Sequence, residues 1–220
     1  MMSHTPRDHS AHGAEAPHTI GHVLHSGRAY DLLAWLLLGG RERAFRQKIL
    51  DLARLTPADS ILDVGCGTGT LAISAKEHVG ASREVRGIDA SAAMIARARR
   101  KAKAAGVDVT FENAVVEAIP FPDGTFDVVL STLMLHHLPR AVRDQCAREM
   151  RRVAKPRARV VVVDFGATAS AHRTFLERFH RHGRVPLSEI IRVLSDAGLT
   201  VEESGPMGLH DLQFVVARAS

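Results

Sequence analysis

The sequence predicts a doubly wound α/β sheet with helices on both faces, and three observations carry that prediction. From residue 61 onward, short apolar or β-branched runs alternate with longer stretches of helical period. The first run, Ile61, Leu62 and Val64, stops at three glycines spaced two apart, Gly65, Gly67 and Gly69, and a helical stretch follows at once. The second run ends in an acid, Asp89, about 20 residues beyond the glycines, where an α/β nucleotide fold places the carboxylate that takes two ribose hydroxyls. Strands separated by helices form parallel βαβ units with right-handed crossovers, which is the doubly wound architecture.

The elements follow in order. Residues 1–20 are rich in His, Ser, Ala and Pro, have no hydrophobic period, and are expected to form a disordered tail. The uneven spacings of His4, His9, His12 and His18 do not suggest a metal site. Residues 21–220 form one domain, because 220 residues with 45% hydrophobic content suit a single substantial core. Between residues 28 and 55 two helices meet at Gly39 and Gly40; the first carries Tyr30, Leu33 and Leu37 beside Trp35, the second Phe45, Ile49 and Leu52 on one face. Further helices are expected over 71–79, 91–105 (ended by Gly106), 140–154 and 186–197. Strands are expected over 84–89, 107–112, 126–132, 160–165, 199–203 and 212–218, the last reached through a Gly-Pro-Met-Gly turn. Within 166–185, Phe175, Leu176 and Phe179 mark the apolar face of a short helix surrounded by basic residues.

Glycines at a strand-to-helix turn permit positive φ and close approach of a ligand to the main chain, while the next helix presents unpaired N–H groups. Asp89 suits a ribose, and it equally suits the N-cap of the helix that starts near Ser91.

The ordered set ILDVGCGTG, then GIDAS with Met94, then IPFPDGTFDVVLS resembles the Rossmann-like S-adenosylmethionine-dependent methyltransferases, from about Tyr30 to the C-terminus. YDLLAWLLLGGRERAFRQKIL is similar to the lead-in of the ubiquinone/menaquinone C-methyltransferases and of soluble bacterial phosphatidylethanolamine N-methyltransferases. The resemblance implies a seven-stranded sheet whose last strand runs antiparallel between its neighbours, S-adenosylmethionine as cofactor and S-adenosylhomocysteine as product. It also implies a site. Asp63 would orient the methionine amino end, and Gly65, Cys66, Gly67, Thr68 and Gly69 would supply backbone contacts. Asp89, followed by Ala90, would hold the ribose; Met94 would pack on the adenine, and Thr132 and Leu133 would line the methionine end. Residues 21–57 would form a helical lid with Tyr30 over the cofactor, and 166–185 a short substrate-side insertion.

Two positions depart from the family pattern. Relatives often carry Asp or Asn five residues before the proline that is Pro120 here, and this chain has Val115. Adenine would therefore rely on the backbone near Val115 and Val116, with Asn113 as a substitute acceptor. Lys155–Arg159 reads KPRAR where relatives usually show KPGGR, a change expected on a rim turn.

After the fourth expected strand comes STLMLHHLP, which sets His136 and His137 where an acceptor would arrive. An oxygen or carbon acceptor must lose a proton, and histidine is a suitable base near neutrality. The stretch lacks the Asn/Asp-Pro-Pro-Tyr/Phe motif of nucleic-acid amino methylases and a strand-four cysteine nucleophile; the chain also shows no paired-glutamate loop and no acidic metal site.

The formal charge is +5 with a pI near 9.8. Arg97, Arg99, Arg100, Lys101 and Lys103 crowd one helix, and Arg148, Arg151, Arg152, Lys155, Arg157 and Arg159 another. These are either solvated helix faces or a surface for an anionic partner. Aromatics at 5% of the chain argue against single-stranded nucleic acid. No apolar stretch is long enough to cross a bilayer, and Cys66 and Cys146 form neither a metal spacing nor a disulfide framework. The expectation is a cytoplasmic monomer or homodimer that methylates a small hydrophobic or amphipathic acceptor such as a quinol, phenol or amine. Phospholipid amine methylation at a membrane surface, and cofactor binding without turnover, stand as the alternatives.

Overall fold

The computed structural model describes residues 40–166, 184–209 and 211–220. The histidine-rich tail, the first lead-in helix with Tyr30 and Trp35, and most of the basic insertion lie outside the described residues.

The described elements are α1 (Glu42–Ala53), β1 (Ile61–Val64), α2 (Thr70–Val79), β2 (Val85–Asp89), α3 (Ala92–Ala105), β3 (Thr110–Asn113), β4 (Phe126–Thr132), a 3-10 turn (Leu135–His137), α4 (Arg140–Val153), β5 (Ala154–Phe165), α5 (Leu187–Asp196), β6 (Leu199–Pro206) and β7 (Leu212–Ala219). The strands form one seven-stranded sheet in the order β3-β2-β1-β4-β5-β7-β6. β1 to β5 pair in parallel, and β7 lies antiparallel between β5 and β6, as the resemblance implied.

The hydrophobic pattern explains the layering. All four residues of β1 are buried, as a central parallel strand covered on both faces requires. One face of the sheet packs Leu62, Val64, Val129, Val160 and Val162 against α4 and α5, and the other packs Ile61, Val128, Leu130, Val161 and Val163 against α1, α2 and α3. The chain runs outward from β1 through α2 and α3 in one direction, then returns to β4 and winds the other way. The order thus reverses between β1 and β4, and a crevice outside their carboxyl ends is where such sheets take ligands.

Two boundaries differ from expectation. β5 starts at Ala154 rather than near residue 160, so KPRAR lies in a strand and not on a rim turn. Phe126 pairs with Ala154 but Val128 with Arg159, and the surplus residues form a bulge in which Arg157 takes φ +65°. The N-cap of α3 is Ser91, whose side chain accepts from Met94 N, and not Asp89.

The two basic helices also differ. On α4, Arg143 pairs with Glu189, Arg152 with Glu149 and Asp123, and Arg151 donates to the Ser220 carbonyl. Arg152 further donates to the Ile119 and Phe121 carbonyls while buried Glu149 accepts from Ile119 N, so Arg152 fastens the 119–123 loop, whereas Arg148 is exposed and reaches only Gln145. On α3, Arg99 donates to the Phe111 carbonyl, and Arg100 and Lys103 are exposed.

Candidate active site

The glycine turn joins β1 to α2 at the switch point. Gly65, Gly67 and Gly69 all have positive φ, at 74°, 52° and 75°. Space matters as much as φ: a Cβ on Gly65 would lie 2.3 Å from Met134 Cγ, and one on Gly69 would lie 2.5 Å from Phe111 Cζ and 2.8 Å from Ala98 Cβ. The turn is therefore pressed against both the segment after β4 and the α3 layer.

Its backbone donors are largely spent inside the protein. Gly65 N and Cys66 N both donate to the Ile88 carbonyl at 2.9 Å, Gly67 N to Asp89 Oδ2 at 2.9 Å, and Gly69 N to the Cys66 carbonyl at 2.9 Å. The expected backbone contacts from Gly65, Cys66, Gly67 and Gly69 thus cannot be a cradle of free N–H groups. The Thr68 hydroxyl turns toward Thr70 Oγ1 and Lys101 Nζ. Burial, with the nearby acids Asp63 and Asp89, pushes the Cys66 thiol well above its ordinary value, which suits a packing role.

Two carboxylates floor the turn. Asp63, at the third position of β1, is 2% exposed; Ala72 N–H at the start of α2 lies against its carboxyl, and its Oδ2 is buried with no hydrogen-bond partner. Burial and the neighbouring Asp89 raise its pKa to about 7. Asp89 Oδ1 accepts from Ser91 N at 2.8 Å and Oδ2 from Gly67 N at 2.9 Å; burial raises its pKa against those two donors. A turn whose N–H groups are spent, backed by two carboxylates, disfavours a phosphate and favours a cation with hydroxyl groups.

The remaining expected residues ring this floor. Ala90 is half-buried, and Met94 is buried with its N–H on the Ser91 hydroxyl. Val115 is half-buried and Val116 buried, and no acid replaces Val115. Asn113, opposite Asp89 in the β2–β3 register, donates Nδ2 to the Asp89 carbonyl at 2.9 Å, leaving Oδ1 as an acceptor. Thr132 Oγ1 is buried without a partner, and Leu133 takes φ +55°, an unfavourable conformation for a side chain of its size. Leu133 N donates to the Val163 carbonyl at 2.8 Å, which turns the chain sharply into the 3-10 segment.

That segment carries His136 and His137. His136 is buried, with Nδ1 2.6 Å from Asp164 Oδ1 and its backbone N 3.1 Å from Asp164 Oδ2. Asp164 has no exposed surface. The His137 ring lies against His136, tilted by 42° with centroids 3.9 Å apart, and Phe165 meets His136 edge-on at 5.3 Å. Arg143 fastens the turn from below, donating to the Leu135 carbonyl at 2.9 Å and to Glu189 at 2.8 Å. Asp164 was not singled out in the sequence. Its signal was available, since it is a lone acid at the carboxyl end of a continuous apolar strand, as Asp63 is.

Among the described residues no cluster of His, Cys, Asp or Glu could hold a metal ion, and no helix is long and apolar enough to cross a membrane.

A family model described as a methyltransferase domain matches residues 61–157, from β1 into the bulge of β5. The demethylmenaquinone methyltransferase of Thermus thermophilus is 39% identical over 154 residues, which cover 68% of this chain and 69% of that protein. The chain belongs to the class I S-adenosylmethionine-dependent methyltransferases. A second relative of this methyltransferase is the ubiquinone/menaquinone biosynthesis C-methyltransferase of Pseudomonas paraeruginosa, 34% identical over 155 residues, covering 69% of this chain and 60% of that one. In fold it is similar to a solved S-adenosylmethionine-dependent methyltransferase from Aquifex aeolicus, with a TM-score of 0.72, 24% identity, and coverage of 86% of this chain and 98% of that one.

Proposed function

We propose that this methyltransferase binds S-adenosylmethionine over the carboxyl ends of β1 and β4 and methylates a small hydroxylated ring of the quinol type. The unpartnered, buried Oδ2 of Asp63 carries the cofactor half of the reading. An isolated buried carboxylate is costly, and an ammonium group placed there would supply the missing partner. The second carboxylate, Asp89, keeps lone pairs beyond its two backbone bonds, and these suit a ribose diol. Asn113 Oδ1, with Val115, Val116, Ala90 and Met94, would receive the adenine, and Thr132 and Leu133 the methionine chain. Tyr30 would close over the cofactor from the lead-in.

When bound, S-adenosylmethionine supplies a methyl group on a positively charged sulfur and leaves as S-adenosylhomocysteine. The protein's part is to hold the acceptor in line with that group and keep water out, because charge is lost as the transition state forms. The quinol class is supported by the relatives, whose names state action on demethylmenaquinone or in ubiquinone/menaquinone biosynthesis.

Calorimetry with S-adenosylhomocysteine tests the cofactor half. Micromolar affinity in the wild type, reduced at least tenfold in Asp63→Asn, is expected; no binding by folded protein would overturn it. Methylation of a short-chain demethylmenaquinol, followed by mass, tests the acceptor.

A further inference from the structure

We infer that Asp164 is a positioning residue that holds His136 as a proton acceptor facing the methyl acceptor, which selects acceptors bearing an acidic hydroxyl. The inference rests on the methyltransferase reading above and adds the acceptor chemistry to it. Asp164 meets His136 twice, once at the ring and once at the backbone, so the ring can neither rotate nor translate without breaking a buried hydrogen bond. Both Asp164 oxygens already accept a backbone N–H, Oδ1 from Phe165 and Oδ2 from His136, and this acceptor geometry assigns the proton of the 2.6 Å contact to His136 Nδ1. The neutral imidazole then keeps its basic lone pair on Nε2. No described residue donates to that nitrogen.

The surroundings fix the direction of the ring. His137 touches it with a tilted ring, Phe165 meets it edge-on, and Arg143 with Glu189 anchors the turn that carries it. The turn itself starts at the strained Leu133, directly after the strand that ends beside β1. Strain of this kind persists where the surrounding structure holds it, and here it lies where the chain leaves β4 for the turn that carries the histidine pair.

The proton balance is simple. The acceptor's O–H proton passes to His136 Nε2, and the freed electron pair stays on the acceptor, on oxygen or delocalised to a ring carbon. That pair forms the new bond to the methyl carbon, while the electrons of the broken S–CH3 bond remain on sulfur. For a ring carbon, loss of its own proton restores the aromatic ring, and the proton on His136 returns to the oxygen. One proton is released per methyl in either case. Amines that arrive neutral need no such base, so this pair would give them no advantage.

The experiment uses full-length protein with 15N-labelled histidine, saturated with S-adenosylhomocysteine, and reads the ring by long-range 1H–15N correlation. His136 is assigned by the signal lost in His136→Gln. The expected wild-type spectrum shows one neutral tautomer with the proton on Nδ1, and Asp164→Asn, which can accept or donate at that position, shifts or mixes it. With short-chain demethylmenaquinol, kcat is expected to fall about 100-fold in His136→Gln and 10-fold or more in Asp164→Asn, with acceptor KM and S-adenosylhomocysteine affinity within about threefold of wild type. A wild-type proton on Nε2, or kcat within about threefold of wild type in both folded variants, would overturn the inference. If the wild type binds S-adenosylhomocysteine but does not methylate the quinol, the quinol reading fails, and the spectrum alone decides the His136–Asp164 pair.

Discussion

Gly67 gives its backbone N–H to Asp89 Oδ2 at 2.9 Å, across the gap between the glycine turn and the end of β2. The carboxylate that would hold the ribose is therefore also the strap that shapes the turn. Its other oxygen fixes the backbone at Ser91, the cap of α3.

This double duty predicts how Asp89 variants behave. Hydrogen bonds to a charged group are worth about 1.5–3 kcal/mol each, and the burial cost that raises the Asp89 pKa offsets part of the two, so Asp89→Ala should lower stability by about 2–4 kcal/mol as well as abolish cofactor binding. Asp89→Asn keeps one acceptor oxygen and the shape, and should melt closer to wild type while binding S-adenosylhomocysteine about tenfold or more weakly. Thermal melts with calorimetry on both variants check this. An alanine variant that melts with the wild type would show that the strap contributes nothing.

Asp63 predicts a pH dependence of opposite sign for stability and for binding. Its folded pKa of about 7 lies above the ordinary 3.8, so as pH rises the unfolded chain ionises first and binds fewer protons than the native state. Stability of the cofactor-free protein should therefore fall between about pH 4 and 7 and level off above, by up to about 4 kcal/mol. Asp63→Asn should flatten that slope in denaturant titrations across pH. Cofactor affinity should move the other way, because an ammonium partner favours the ionised acid: binding should tighten from about pH 6 to 8 and release a proton. Calorimetry in buffers of different ionisation enthalpy reads that proton directly.

Gly65 tests the packing of the turn on the segment after β4. A methyl group there meets Met134 Cγ at 2.3 Å and sits at φ +74°, so Gly65→Ala combines overpacking with backbone strain. A loss of about 2–4 kcal/mol is expected. Met134→Ala in the same chain removes the overlap with Cγ but neither the tight 3.0 Å approach to Cβ nor the φ cost, and the double variant should recover part of the loss. Full additivity in a double-mutant cycle of melts would mean that the two residues do not touch.

Much of the fold was legible because it depends on local signals. The β1 run, the glycine turn, the strand 126–132 and the helix closed by Gly106 are each set by neighbours in sequence, and each lies where the pattern places it. What was not legible depends on distant partners. The chemistry the turn can offer hinges on its N–H groups being taken by Ile88 and Asp89, more than 20 residues away. Asp164 acquires its meaning only when β5 pairs with β4 and brings it to His136, 28 residues earlier. Arg152 reads as part of a basic surface until Glu149, Asp123 and two loop carbonyls are seen to surround it.

The bulge in β5 gives a stabilising prediction that leaves the site alone. Arg157 is exposed and takes φ +65°, where an L side chain costs about 1–2 kcal/mol and glycine almost nothing. The bond it accepts, from Arg218 Nη1 at 3.1 Å, goes to its backbone carbonyl and survives any substitution. Arg157→Gly relieves the strain but increases the freedom of the unfolded chain, so the net gain should be about 0.5–1 kcal/mol. For a chain of this size that is a rise of about 1–3 °C in Tm. Arg157→Ala removes the same side chain and keeps the strain, so it should show no rise. Equal melting of the two variants above wild type would mean that the arginine side chain, and not the backbone, is the source of the cost.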